Sequence, residues 1–255
     1  MKLKYILLVV YLLVGSLYLL DKLNKKRFKN NSYTPLVEPT TYVNPTSSPF
    51  TNVNGINKIE WLIIRDLNKI SLYSNLEDQY TSTEIIEKYM CESLISGSFY
   101  SKENKHIGLF ISNYKNISDV QKNALLNSYF YITENKAFIS QLPPKNARLA
   151  IQTGPLLYKD GKPISINSNN NEERRVLVAT TKEGHAVFLV IYNTNSQFKG
   201  PKLSELPDIL TELQKNTSLD FVNAINMDGG TASSFITDYI NISELSRIGS
   251  YFCVK

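Results

Sequence analysis

The stretch NAINMDGGTASSFI, Asn223 to Ile236, ends an apolar run in an acid and follows it with two glycines and a set of hydroxyl residues. Phe221 to Met227 reads as a strand that delivers Asp228 to its end, where Gly229-Gly230 removes side chains from the turn. A carboxylate so placed suits proton transfer, nucleophilic attack or a bound cation. The successive N–H groups of Gly229, Gly230 and Thr231, with the hydroxyls of Thr231, Ser233 and Ser234 nearby, could form a concavity for phosphate. Asn226, two residues before Asp228, shares its strand face. The plain alternative is a β-turn in which Asp-Gly supplies turn geometry and the serines are strand surface.

Two further segments could contribute. In IQTGPLLYKDGKPI, Gly154-Pro155 breaks a strand, which either lets backbone approach a ligand or simply ends the strand. Arg174-Arg175 leads into VLVATT, and alternation sends the two side chains to opposite faces, so at most one reaches a given site. An arginine there could bind phosphate bidentately. Nucleotide-binding glycine loops and the G-x-S-x-G nucleophile elbow are absent from the sequence. His185 follows a turn glycine at a strand start and reads as structural.

The elements that must position these residues are mostly strands. Eleven β-type runs follow Asn57, from EWLIIRDL to SYFCVK. Glu134-Asn135, Asp160-Gly161 and Glu183-Gly184 fall between such runs at hairpin spacing, which predicts antiparallel pairing. Thr81 and Glu84 have capping-box spacing ahead of a helix ending near Leu94, and a second helix starts at about Ser204 with Leu206, Ile209, Leu210 and Leu213 on one side. The pattern is α+β: a single domain of mixed, largely antiparallel sheet with a few packed helices.

The formal charge of +5 is a property of the N-terminus, because residues 1–30 hold seven Lys/Arg against Asp21 alone, leaving 21 basic and 22 acidic residues in the rest. Nucleic-acid binding therefore loses its main support. Two cysteines and two histidines would all but have to converge to make a zinc site. Cys91 and Cys253 could form a disulfide or remain buried thiols. From Tyr5 to Leu20 the chain carries no charge and is flanked by lysines. We read residues 1–29 as an uncleaved signal anchor with its transmembrane part at about 5–20, a cleaved signal and secreted form being the alternative. Residues 30–57 read as a disordered Asn/Thr/Ser/Pro-rich linker and 58–255 as the domain. The positive-inside bias alone would keep that domain cytoplasmic, whereas an anchor with a polar tether suits an extracytoplasmic, cell-envelope position.

In this order the pieces resemble the phosphodiester glycosidase, or uncovering-enzyme-like, family, with bacterial members linked to exopolysaccharide. The likeness covers roughly Lys58 to Lys255. It rests on Ser96-Gly97-Ser98-Phe99-Tyr100 with Gly108-Leu109, on Gln152-Thr153-Gly154-Pro155-Leu156-Leu157, on Arg175 ahead of its strand, and on Ala224 to Ser233. Ser96 stands where the family usually has Asn, Ser98 and Thr231 replace glycines, and Ala232 replaces a serine. The resemblance implies hydrolysis of a sugar-1-phosphodiester in an envelope or extracellular glycan, releasing free sugar and a phosphomonoester. It implies Asp228 and Arg175 as catalytic residues. It assigns substrate or phosphate contacts to Asn226, Gly229, Gly230, Thr231, Ser233, Gln152, Gly154, Ser96 and Gly97. A divalent cation, calcium or magnesium, could sit at Asp228 and Asn226. The expected partners are a carbohydrate or phosphoglycan substrate and, through the N-terminal helix, a membrane, with no nucleic acid. A non-catalytic glycan-binding module and a structural envelope protein are the alternatives.

Overall fold

VLVAT and AVFLVIY lack the polar alternation of half-exposed strands, the mark of strands covered on both faces, and they lie side by side inside a seven-stranded sheet. The computed structural model describes residues 50–51, 55–167 and 171–255. In chain order the strands begin β1 (Phe50–Thr51), β2 (Asn57–Ile64), β3 (Ile70–Ser74), β4 (Ser93–Ser96), β5 (Phe110–Ser112), β6 (Lys115–Ser118), β7 (Ser128–Ile132) and β8 (Ala137–Ser140). They continue with β9 (Leu149–Thr153), β10 (Leu156–Lys159), β11 (Lys162–Pro163), β12 (Arg175–Thr181), β13 (Ala186–Asn193) and β14 (Phe221–Asn226). The last are β15 (Phe235–Ile236), β16 (Asn241–Ile242) and β17 (Ser250–Val254), and the α-helices are α1 (Ser82–Tyr89) and α2 (Leu206–Asn216).

The large sheet has the order β1-β2-β13-β12-β14-β10-β11; two five-stranded sheets run β16-β15-β4-β17-β3 and β6-β5-β9-β7-β8. Every pairing among the described residues is antiparallel. On one face of the large sheet Val176, Val178, Phe188 and Ile225 meet Phe110, Phe130 and Phe252 of the smaller sheets. On its other face Leu177, Leu189 and Ala224 meet Leu206, Leu210 and Leu213 of α2. All eleven expected strands are present, and the three expected hairpins join β7 to β8, β10 to β11 and β12 to β13.

The helix boundaries differ from expectation. Thr81 and Glu84 do form the capping box of α1. The helix stops at Tyr89 because Met90 turns left-handed at φ 52°, Cys91 is bonded to Cys253, and Leu94 already pairs with Cys253 across β4 and β17. Ser204 lies inside a 3-10 turn, Leu203–Glu205, that precedes α2; there the Glu205 carboxylate accepts the Lys202 N–H at 2.8 Å. Order also begins ahead of Lys58, since Phe50–Thr51 pairs with Lys58 and Ile59. The expected anchor at residues 5–20 lies outside the described residues, among which no helix is long and apolar enough to cross a membrane.

Candidate active site

β14 runs between β12 and β10 and brings Asp228 to the end of β4, an inner strand of the second sheet. The Met227 N–H donates to Val176 O at 2.8 Å; one residue on, the Asp228 N–H donates to Gly97 O at 3.1 Å. Gly97 is fixed in turn, its N–H donating to Ser250 O at 2.9 Å, while the Ser98 N–H donates to Ser250 Oγ at 2.8 Å. The Gln-Thr-Gly-Pro segment braces the same strand end. Thr153 Oγ1 donates to Asn226 O at 2.7 Å, Asn226 N to Pro155 O at 3.1 Å, and Asn226 Nδ2 to Gly154 O at 3.0 Å. A Cβ on Gly154 would collide with the Leu125 carbonyl, so only glycine allows that approach.

Asp228 is half-buried as a residue, with its carboxyl group deep among protein atoms. Burial pushes its pKa up to about 8, the Gly229 N–H opposes this, and the charge of Glu173 adds to it. At neutral pH the carboxyl is therefore mostly protonated. Tyr100 stands nearby, its own pKa raised by burial and then by Asp228, its hydroxyl donating to Arg247 O at 2.6 Å. Two residues tied to this strand end each carry a buried polar atom without a protein partner: Ser96 Oγ, next to the Gly97 that accepts the Asp228 N–H, and Asn226 Oδ1, two residues before the acid. Buried polar atoms without partners are uncommon in folded proteins. Here both belong to residues expected to meet substrate.

Other expected contacts turn inward. The three N–H groups do not converge on an anion, because Gly229 faces the Asp228 carboxylate and Gly230 N donates to Arg174 O at 2.8 Å. Thr231 is drawn to the following turn, its Oγ1 accepting from Ser246 Oγ at 2.8 Å and its carbonyl from the N–H groups of Leu245 and Ser246. Ser233 is fully buried, donating to Gly230 O and accepting from Arg174 Nε, both at 2.9 Å. Gln152 is a clamp on the backbone of Leu109, Gln121 and Leu126. Of the two arginines, Arg174 reaches the loop, through Ser233, while Arg175 Nε and Nη2 donate to Pro201 O and Asn171 O at 3.0 and 2.6 Å. Alternation separated the pair as expected, and it is Arg174 that turns toward the Asp228 loop.

Sequence reasoning missed Glu173 as a member of this neighbourhood, and it named Tyr100 and Arg174 only within their motifs, without a site role. Tyr100 was legible in principle as an aromatic next to the Ser-Gly-Ser turn, whereas nothing around Glu173 sets it apart from other surface acids. A hard divalent cation takes six or more oxygens, and no group of three His, Cys, Asp or Glu able to hold a metal occurs among the described residues. Asp228 and Asn226 Oδ1 supply only part of such a donor set, and no step below runs through a cation.

A largely antiparallel α+β domain that presents one buried acid at a strand end defines the class. Residues 89–254 match the phosphodiester glycosidase family, and the chain belongs to it. Among solved structures it is similar to the catalytic domain of zebrafish N-acetylglucosamine-1-phosphodiester alpha-N-acetylglucosaminidase auto-inhibited by its pro-peptide. The TM-score is 0.58 at 15% identity, over 81% of this chain and 80% of that one. A hypothetical protein from Synechocystis matches with a TM-score of 0.54 at 15% identity, over 81% of this chain and 61% of that one. These two likenesses concern the fold alone. No curated protein matches the chain.

Proposed function

We propose that the protein hydrolyses the bond between a sugar's anomeric carbon and a phosphodiester in an envelope or extracellular glycan, releasing free sugar and a phosphomonoester. One observation carries this reading: in a chain of the phosphodiester glycosidase family, the family's acid is held protonated beside two unsatisfied buried polar atoms. The zebrafish relative's name describes a sugar-1-phosphodiester bond of the same kind.

The chemistry follows from the leaving group. An ordinary glycoside needs strong protonation of a poor alkoxide, but a phosphate leaves as a stable anion, and the greater demand is to tolerate its charge. An ionised Asp228 would repel that anion. A protonated one donates a hydrogen bond to the bridging oxygen and passes the proton as the bond to carbon breaks. Arg174 and Arg175, held behind the loop by carbonyls, supply positive field in place of a bidentate grip. Ser96 Oγ and Asn226 Oδ1 meet the sugar or phosphate hydroxyls. The Cys91–Cys253 bridge supports a place outside the reducing cytosol, with the uncharged segment at residues 5–20 as the anchor.

The test is release of free sugar by the full chain from a panel of sugar-1-phosphodiesters, with Asp228→Asn alongside. Release that vanishes in the variant is the expected result. Binding of phosphoglycan without release would overturn the reading in favour of a glycan-binding module.

A further inference from the structure

Glu173 lies two residues ahead of β12, half-buried, beside the Arg174-Arg175 pair but with no functional expectation of its own. Its position is fixed from two sides. Gly230 N donates to the carbonyl of Arg174 at 2.8 Å, fastening the Arg174–Arg175 peptide, one residue beyond Glu173, to the Asp228 loop, while the Arg174 N–H donates to Phe198 O at 3.1 Å. Glu173 Oε1 accepts from Asn171 Nδ2 at 3.3 Å. The other oxygen, Oε2, lies over Gly230: a Cβ on that glycine, which sits at φ 62°, would stand 3.3 Å from it. A side chain at 230 would press on this carboxylate as well as strain the backbone.

We propose that Glu173 is the second carboxylate of the site and works as a pair with Asp228, an inference that rests on the phosphodiester glycosidase reading. Glu173 accepts a proton from water as the water oxygen bonds to the anomeric carbon. The bond from that carbon to the phosphate oxygen breaks, its electron pair stays on that oxygen, and the oxygen takes the proton of Asp228. Asp228 ends ionised and Glu173 protonated, and one proton exchanged through solvent from Glu173 to Asp228 restores both. What links the two carboxyl groups is the loop itself: Glu173 Oε2 lies over Gly230, two residues from Asp228. The charge of Glu173 acts on Asp228, the charge of Asp228 acts on Tyr100, and the Gly229 N–H donates to the Asp228 carboxyl. Of the nearby cations, Arg247 neighbours Tyr100, Arg174 is bound to Ser233, and Arg175 donates to the Pro201 and Asn171 carbonyls while it also feels the charges of Glu173 and Glu205.

The experiment uses the full chain and two readouts. Carboxyl carbon-13 NMR follows the titration of Asp228 without substrate, in the wild type and in Glu173→Gln; sugar release is measured against pH in the same proteins. The Asp228 midpoint is expected to fall when the neighbouring charge is removed. Release is expected to drop by about 100-fold or more, and in Glu173→Ala it should be partly restored by formate, a carboxylate small enough to enter the vacated space. An unmoved midpoint overturns the pair, whatever the state of hydrolysis. Undiminished release by Glu173→Gln overturns its part in activating water. If the midpoint moves while the wild type releases no sugar from any substrate, the coupling stands and it is the hydrolytic reading that fails.

Discussion

The backbone N–H of Asp228 donates to the carbonyl of Gly97 at 3.1 Å. That one bond joins the exit of β14 to the exit of β4, segments that meet only in the fold, and so puts Ser96 beside the acid's loop. It also explains why the Ser-Gly-Ser and Asp-Gly-Gly motifs belong together: one sets the carboxyl, the other its wall.

Ser96 is 1% exposed and its hydroxyl has no partner. A buried unsatisfied hydroxyl destabilises a fold by about 1–3 kcal/mol, so Ser96→Ala is expected to leave the melting temperature unchanged or raise it. If the hydroxyl serves substrate, sugar release falls all the same, mainly through a higher KM. A variant that is destabilised but fully active would show the hydroxyl to be structural.

Replacing Asp228 should gain stability and lose activity. Its carboxyl titrates at about 8 in the folded protein, against an ordinary value of 3.8. Below about pH 4 it is protonated in both the folded and the unfolded chain and there is no penalty. Between there and pH 8 the unfolded chain ionises freely while the folded chain does not, so the wild type loses stability as pH rises. Asp228→Asn should therefore melt higher than wild type at pH 8 and alike at pH 4, while hydrolysis by the wild type declines as pH climbs through about 8. Parallel melting curves across that range would contradict the raised value.

Much of this was legible in sequence, for physical reasons. Antiparallel strands joined by short turns announce themselves through local apolar runs and turn residues, and Asp228 stood out because an acid at a strand end before two glycines is locally unusual. What could not be read is what side chains do once the strands have met. Gln152 was singled out by the family resemblance, and only the fold shows that it clamps three stretches of backbone. Which of Arg174 and Arg175 turns toward Ser233 depends on a one-residue register at the start of β12. Glu173 gains its interest only from Gly230, which lies far along the chain.

The Cys91–Cys253 bridge spans a sequence separation of 162 residues and ties the end of α1 to β17. Cross-links of this kind contribute about 2–4 kcal/mol, chiefly by restricting the unfolded chain. Reduction, or Cys91→Ser with Cys253→Ser, should therefore lower the melting temperature by roughly 5–15 °C. A melting temperature insensitive to reductant, with free thiols verified by alkylation, would count against the bridge as a support of the fold.

His106 should set the acid limit of the protein. Its ring is 6% exposed and stacks on Phe110 at 3.9 Å, with Nδ1 3.3 Å from Ser98 Oγ and Nε2 2.9 Å from Ser74 Oγ. These contacts are uncharged, and burial pushes its pKa from 6.5 down to about 4. The folded protein thus holds the ring neutral where the unfolded chain would protonate it. This stability is fully present above about pH 6.5 and is lost as pH falls toward and through about 4, in total about 3 kcal/mol. The loss bears on the site, because Ser98 Oγ meets Ser250 Oγ at 2.9 Å and Ser250 holds Gly97, the partner of Asp228. His106→Gln keeps a polar side chain without the titration. It should be less stable than wild type at pH 7, and the gap should narrow steadily as melting is repeated down to pH 4.5. If both proteins lose stability with the same slope over that range, the acid response lies in other groups and His106 is only a strut between Ser98 and Ser74.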